Sequence, residues 1–311
     1  LSILVTGAAG LVGSSIASML TLQEYDVISI DDLSAGSMTN LEGLLGRQNF
    51  THHTGNILDD ELLDKIFRKK ITHVFHEAVS KNTRSMLSPS SDLLVNALGT
   101  LKLLERARIH NSHFIHASTG SVYGRTSEFP TTEIVSKNPV SFYGNSKNAA
   151  ENYVNLFHQI YGLHTTVLRY FHVYGWRQDA GSYGGVVPIF INHALRNEPI
   201  EITGDGKQIR QFTYVEDIAK INLAFMENKT QSGEVYNCAS PEKTSIKNLA
   251  EMIIKETKST SSIKNISERI GDIKNFDVSC EKLNQVIKLH NWTNFTTGLQ
   301  ETIEKINEKM N

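Results

Sequence analysis

Thr6-Gly7-Ala8-Ala9-Gly10-Leu11-Val12-Gly13 decides how the rest of the chain is read. It follows the apolar run Ile3-Leu4-Val5 and opens a helix-like stretch. Glycines at 7, 10 and 13 permit a tight turn, close approach of the backbone to a pyrophosphate, and close helix–sheet packing. The helix amino terminus then offers free N–H groups to phosphate oxygens. A glycine triplet alone also fits an ordinary turn. The next strand is more specific. Val27-Ile28-Ser29-Ile30 forms a second apolar run and ends at Asp31, 18 residues after Gly13. A carboxylate there accepts hydrogen bonds from a ribose diol. Asp32 adds a second carboxylate, and both repel a 2′-phosphate. NAD is therefore expected in preference to NADP.

Outward from this unit, short β-rich runs alternate with helical ones. Val74-Phe75, Phe114-Ile115 and Thr166-Val167-Leu168 read as buried strands, and Leu94, Leu98, Leu101 and Leu104 share one helical face. The alternation predicts an α/β, Rossmann-like, doubly wound parallel sheet with helices on both faces. A smaller, discontinuous C-terminal substrate domain is expected to come after it. Residues 1–174 form the expected nucleotide-binding domain and 175–311 mainly the second, with segments near 213–240 returning to the main sheet. In the second part, Val186 to Arg196 reads as a helix, Gly204-Asp205-Gly206 as a turn, and Ser245 as the N-cap of the next helix. The run from Lys255 to Lys264 reads as a solvated loop.

With 311 residues, 40% of them hydrophobic and 21% charged, the chain is an ordinary folded protein of about two domains. A net charge of −2 gives no basic surplus for a nucleic-acid backbone. No apolar run approaches the roughly 18 residues that suggest a membrane span. Two cysteines build no disulfide framework, and the chain opens on a strand with no visible leader. A cytoplasmic location is expected, without nucleic-acid or membrane partners.

Tyr143-Gly144-Asn145-Ser146-Lys147 puts a phenol and an ammonium at i and i+4 on one helix face. A cation near a phenol favours the phenolate and is expected to bring its pKa toward neutrality, where it works as acid or base. Ser118-Thr119-Gly120-Ser121 follows a strand and offers a hydroxyl to a sugar oxygen. His73 with His76, and His113 with His116, lie on strands at a spacing that faces opposite sides, so no metal site is expected.

In these motifs the chain resembles the extended short-chain dehydrogenases/reductases, and among them the UDP-glucose (UDP-galactose) 4-epimerases. The likeness runs nearly from end to end. It implies Tyr143 as catalytic base, Lys147 as its electrostatic helper and Thr119 as the hydroxyl partner. It places Gly7, Gly10, Leu11, Val12, Gly13, Asp31, Asp32, Asn56, Ile57, Lys81 and Asn96 at NAD, with Tyr143 and Lys147. It places Thr119, Tyr143, His172, Val187, Arg210, Tyr214, Arg269, Asp272 and Phe276 at a UDP-sugar. Residues 204–214 are implied to form a UDP-binding hairpin, and Phe276 to crowd the sugar C2 substituent and disfavour N-acetyl sugars. The family's usual dimerisation through the two helices carrying the Leu94 stripe and Tyr143 implies a homodimer. Departures stand out: His172 for a usual Asn, Asn56 for Asp, Asp32 for Asn, Gln211 for Asp, and Glu77 for an apolar residue. Glu77 is expected either to face the cleft or to be paired, for instance with Lys81. Ser121 replaces the Glu usual in the related 4,6-dehydratases and UDP-glucuronate decarboxylases, which argues against both reactions. Retention of Tyr143, Lys147 and Thr119 argues against a non-catalytic NAD sensor.

Overall fold

The computed structural model describes residues 1–80, 85–179, 181, 184–228, 231–267, 277–287 and 292–310. The first unit is built from β1 (Ser2–Thr6), α1 (Leu11–Leu22), β2 (Asp26–Asp31), β3 (Phe50–Thr54), α2 (Asp60–Ile66) and β4 (Ile71–His76). Next come α3 (Pro89–Leu93), a π-helical stretch Leu94–Leu98, α4 (Gly99–His110), β5 (His113–Thr119), α5 (Phe142–Tyr161) and β6 (Thr165–Tyr170). The Leu94 stripe is thus not one continuous α-helix. Its π segment re-aims Asn96, whose carbonyl accepts from Thr100 Oγ1 at 2.6 Å.

The chain then runs through β7 (Val173–Tyr174), α6 (Val186–Leu195), β8 (Ile200–Thr203), β9 (Ile209–Arg210), β10 (Thr213–Tyr214), α7 (Val215–Glu227) and β11 (Glu234–Cys238). It closes with β12 (Thr244–Ser245), α8 (Ile246–Thr257), β13 (Ile263–Ile266), α9 (Glu281–Val286) and α10 (Phe295–Met310).

Among the described residues the main sheet has the order β11-β6-β5-β4-β1-β2-β3, with every pair parallel. The period of two is visible in the core. Ile3, Val5, Val27, Phe75, Ile115 and Leu168 pack on one face against α1 and α7. Leu4, Ile28, Ile30, Val74, Phe114 and Val167 pack on the other against α2, α4 and α5. The order reverses between β1 and β4, and the crevice beyond their carboxyl ends is where such sheets bind ligands.

α7 and β11 return to the main sheet, with β11 pairing β6. α9 adds Leu283 to the same core as α7, and α6, β8, α8 and α10 bury a separate core that includes Phe190, Ile202, Leu249, Leu299 and Ile303. Ser245 does cap α8, accepting from Asn248 N at 3.0 Å. Two expectations from the sequence fail in this part of the chain. Residues 204–214 do not form a hairpin: β8 pairs β13, and β9 pairs β12. The Lys255–Lys264 run is not all loop, because α8 reaches Thr257 and β13 begins at Ile263. The turn between them is tied down by Thr260 N donating to Asn197 Oδ1 at 2.9 Å.

Candidate active site

A cavity of about 620 Å³ opens at the sheet crevice. Gly7, Gly10, Leu11, Val12, Gly13, Asp31, Asp32, Asn56, Ile57 and Tyr143 line it, as do Glu77, Ala78, Ser118, Tyr170 and Arg177.

The glycines do three different things. Gly7 sits at φ +64°, and a Cβ there would lie 2.6 Å from Ala78 N. At Gly13 a Cβ would lie 2.2 Å from Gly7 O, so turn and helix could not close. Gly10 is the N-cap of α1 and has no side-chain cap. A Cβ on Gly10 would meet Gly7 O at 3.2 Å and otherwise point into open space. The bare backbone and the helix amino terminus therefore face the cavity, as a bound pyrophosphate requires.

Asp31 ends β2. Its Oδ2 accepts from Ala9 N at 2.9 Å and its Oδ1 from Leu33 N at 2.8 Å. Burial raises its pKa above the ordinary carboxyl value, and the two N–H bonds oppose that shift. Asp32 and Asn56, each a departure from the family's usual residue, meet each other: Asn56 Nδ2 donates to Asp32 Oδ2 at 2.8 Å. A glycine turn, a capless helix end and an oriented carboxylate along one cavity fit a dinucleotide.

At the other end, α5 is started by Ser141, whose Oγ accepts from Gly144 N at 3.0 Å. Tyr143 lies in its first turn and lines the cavity. Burial pushes the phenol up to about 12; a hydrogen bond with Thr119 pulls it down, and Asp92 and Glu77 push it further up. This corrects the expectation of a pKa brought toward neutrality: burial and the anions around the phenol outweigh any help from Lys147. Lys147 is buried and lowered to about 8 by burial, with Glu77, Glu151 and Asp92 opposing. Its Nζ lies 3.3 Å from His116 Nε2. Burial keeps His116 neutral, so the imidazole accepts and the ammonium donates.

Thr119 ends β5, and its Oγ1 accepts from Ser121 N at 3.2 Å. Asn96 is buried behind the cavity, accepting from Ser80 N at 2.8 Å and donating to Ser146 Oγ at 3.0 Å.

Val187 and Tyr214 are packed into the second core, with the Tyr214 hydroxyl donating to Glu301 Oε2 at 2.8 Å. Tyr214 also precedes α7 as its N-cap residue. Neither lines the cavity. Arg210 is buried on β9, with Nη1 donating to Ile209 O at 2.8 Å. His172 sits at φ +42° against Phe212, and burial with Arg210 lowers its pKa to about 3. It is therefore neutral at physiological pH rather than a titrating phosphate ligand. Gln211, another departure, is buried and accepts from Val278 N at 2.8 Å, a structural role. Lys81, Arg269, Asp272 and Phe276 lie outside the described residues.

Sequence reasoning missed Tyr170 and Arg177 on the cavity wall, and His116 behind Lys147. Glu77 is visibly unusual in the sequence, but its partner is not: Tyr170 donates to Glu77 Oε1 at 3.0 Å from 93 residues away. The histidines on the strands meet in tilted ring pairs, His73 with His113 and His76 with His116. Among the described residues no group of three or more His, Cys, Asp or Glu could hold a metal, and no helix is long and apolar enough to cross a membrane.

The model of the NAD-dependent epimerase/dehydratase family matches residues 3–239. A UDP-glucose 4-epimerase of Mycolicibacterium smegmatis is 30% identical over 311 residues, 98% of each chain. The crystal structure of a UDP-glucose 4-epimerase from Thermotoga maritima with UDP-glucose is 33% identical, covers 100% of both chains and superposes with a TM-score of 0.93. A UDP-N-acetylglucosamine 4-epimerase from Methanobrevibacter ruminantium is 32% identical, covers 99% of each chain and has a TM-score of 0.92.

Proposed function

The chain belongs to the NAD-dependent epimerase/dehydratase family, and from that membership we propose that it is a UDP-sugar 4-epimerase interconverting UDP-glucose and UDP-galactose. The observation that carries this reading is Tyr143 on the cavity wall, hydrogen-bonded with Thr119 and four residues before the buried Lys147 on the same helix. When bound, NAD supplies the acceptor for the sugar C4 hydride and a positive charge at this end. Gly7, Gly10, Leu11, Val12 and Gly13 would hold the pyrophosphate. Asp31 would hold the adenosine ribose, with the Asp32–Asn56 pair at the adenine side.

Tyr143, its phenol drawn down from about 12 by the cofactor's positive charge and by Lys147, would take the proton of the C4 hydroxyl and return it after the ring has turned. Thr119 orients the phenol, and its hydrogen bond stabilises the phenolate as the proton arrives or leaves. Lys147 holds a buried positive charge on the same helix face. His116 accepts one of its protons and fixes where the ammonium points. No net oxidation results, so no second substrate is needed.

One feature supports epimerisation over dehydration: Ser121 stands where the dehydratases carry a Glu. For the sugar, the plain hexoses are supported by the UDP-glucose 4-epimerase relatives and by the role the resemblance implies for Phe276, which lies outside the described residues. We also assign self-association to the apolar surface of Leu94, Leu98, Tyr153, Leu156 and Ile160 on neighbouring helices. The test is incubation with UDP-galactose, UDP-N-acetylgalactosamine and UDP-galacturonate in turn, with products identified by NMR. UDP-glucose from the first at the greatest rate is expected. Faster conversion of either other sugar would reassign the substrate.

A further inference from the structure

The two ends of the cavity carry different side chains, with a carboxylate at each. Asp31, Asp32 and Asn56 mark one, and Glu77, Ala78, Ser118, Tyr143 and Tyr170 the other. With the adenosine ribose at Asp31, the nicotinamide ring falls toward the second end, and the role assigned below to Glu77 rests on that cofactor reading. Glu77 is the first residue after β4, is 8% exposed, and lines this end. Its Oε1 accepts from the Tyr170 hydroxyl at 3.0 Å. Tyr170 in turn accepts from Asn222 Nδ2 at 2.8 Å, and Asn222 is fixed on α7 by donating to Ile218 O at 2.8 Å. The carboxylate is thus held by a donor from β6 that is itself positioned from α7. Among the described residues, the ionisable groups around it are Lys147 and Tyr143 on α5, Tyr170 on β6 and Cys238 on β11.

Lys147 is the cation among these groups, and it also answers to Glu151 and Asp92. A buried carboxylate with a shared counter-charge is stabilised by any further cation brought beside it. Oxidised nicotinamide carries one positive charge. Reduction adds a hydride, one proton with two electrons, and leaves the ring neutral. We propose that Glu77 makes the cavity discriminate between oxidised and reduced dinucleotide, its carboxylate favouring the cationic ring. No proton passes through Glu77 in this role. It is a charge beside the ring that would bias the bound cofactor toward its oxidised form, so that the state holding oxidised sugar and reduced cofactor is disfavoured.

Burial holds the Glu77 pKa at about 7, with Tyr170 and Lys147 pulling it down. The discrimination therefore grows as pH rises through that range, below the region near 8 where Lys147 sheds its proton. The test is calorimetric titration of the full chain, freed of dinucleotide, with NAD and with NADH separately, at about pH 6 and about pH 7.5. If the cation lowers the Glu77 pKa by about one unit, the ratio of the NADH to the NAD dissociation constant rises roughly fourfold between the two pH values. In Glu77→Gln that rise disappears. A ratio independent of pH in the unaltered chain, or a rise that persists in Glu77→Gln, overturns the proposal while leaving the cofactor reading standing. Binding of neither dinucleotide overturns both. If Glu77→Gln does not fold, Tyr170→Phe decides. Loss of the donor raises the Glu77 pKa, so the rise should move to higher pH; an unmoved rise overturns the proposal.

Discussion

Tyr143 and Lys147 carry the chemistry at the residue scale. Their spacing of four puts them on one helix face and could be read from the sequence. Their ionisation could not, because Asp92, Glu77 and His116 come from α3, the end of β4 and β5. Replacing Tyr143 by Phe removes only the ionisable oxygen. Turnover should fall by about 10²–10⁴-fold with dinucleotide affinity nearly unchanged; near-wild-type rates in the purified variant would refute the assignment. Lys147→Ala should lose activity and also weaken NAD, as seen by calorimetric titration, because the family resemblance makes Lys147 a ligand of the nicotinamide ribose. Asp31 and Asp32 argue for NAD over NADP. Asp31, with both oxygens anchored by backbone N–H groups, cannot swing away from a 2′-phosphate. Equal affinity for the two cofactors in the same titration would mean that neither carboxylate meets the ribose.

The elements place these residues through one buried knot. Arg169 on β6 donates through Nε to Glu151 Oε1 at 2.9 Å and through Nη2 to Oε2 at 2.7 Å. Ser118 Oγ donates to Glu151 Oε1 at 2.5 Å, and Lys137 Nζ lies 3.2 Å from Oε2. Glu151 is one turn beyond Lys147, so the knot sets α5 against β5 and β6. Glu151→Ala strands a buried guanidinium and should cost about 3–5 kcal/mol, read as a lower urea midpoint. Turnover should fall with it, because Tyr143 and Thr119 lose their register. Most elements were legible: continuous apolar runs mark doubly buried strands, and the glycine unit marks β1 and α1. β3 was not, since Phe50-Thr51-His52-His53-Thr54 is a polar edge strand that pairs with β2 alone. Nor were two-residue strands such as β9 and β12, which exist only because the second core brings them together.

The whole molecule carries buried histidines that tie its stability to pH. His113 is packed on His164, bonded through Nε2 to Thr166 Oγ1 at 2.9 Å, and lowered by burial to about 2. Its folded pKa lies below the unfolded value of 6.5, so its contribution is present above about pH 6.5 and lost as pH falls. By pH 5 the unfolded chain gains about 2 kcal/mol from protonation that the folded chain does not. Urea midpoints should drop between about pH 7 and 5, and less steeply in His113→Gln; parallel curves would contradict this. The apolar surface around Leu156 should support a dimer that Leu156→Glu splits, measured by light scattering. The parallel sheet with helices on both faces was legible at this scale. The packing of Val187 and Tyr214 was not, because burial in the second core depends on contacts far apart in sequence. The central claim is that the sugar's own C4 hydrogen leaves and returns within one site. UDP-galactose deuterated at C4, converted without added cofactor, tests it most directly. The account predicts UDP-glucose with the deuterium kept at C4. Loss of the label to solvent, or its appearance at C6 of a deoxy product, would contradict it.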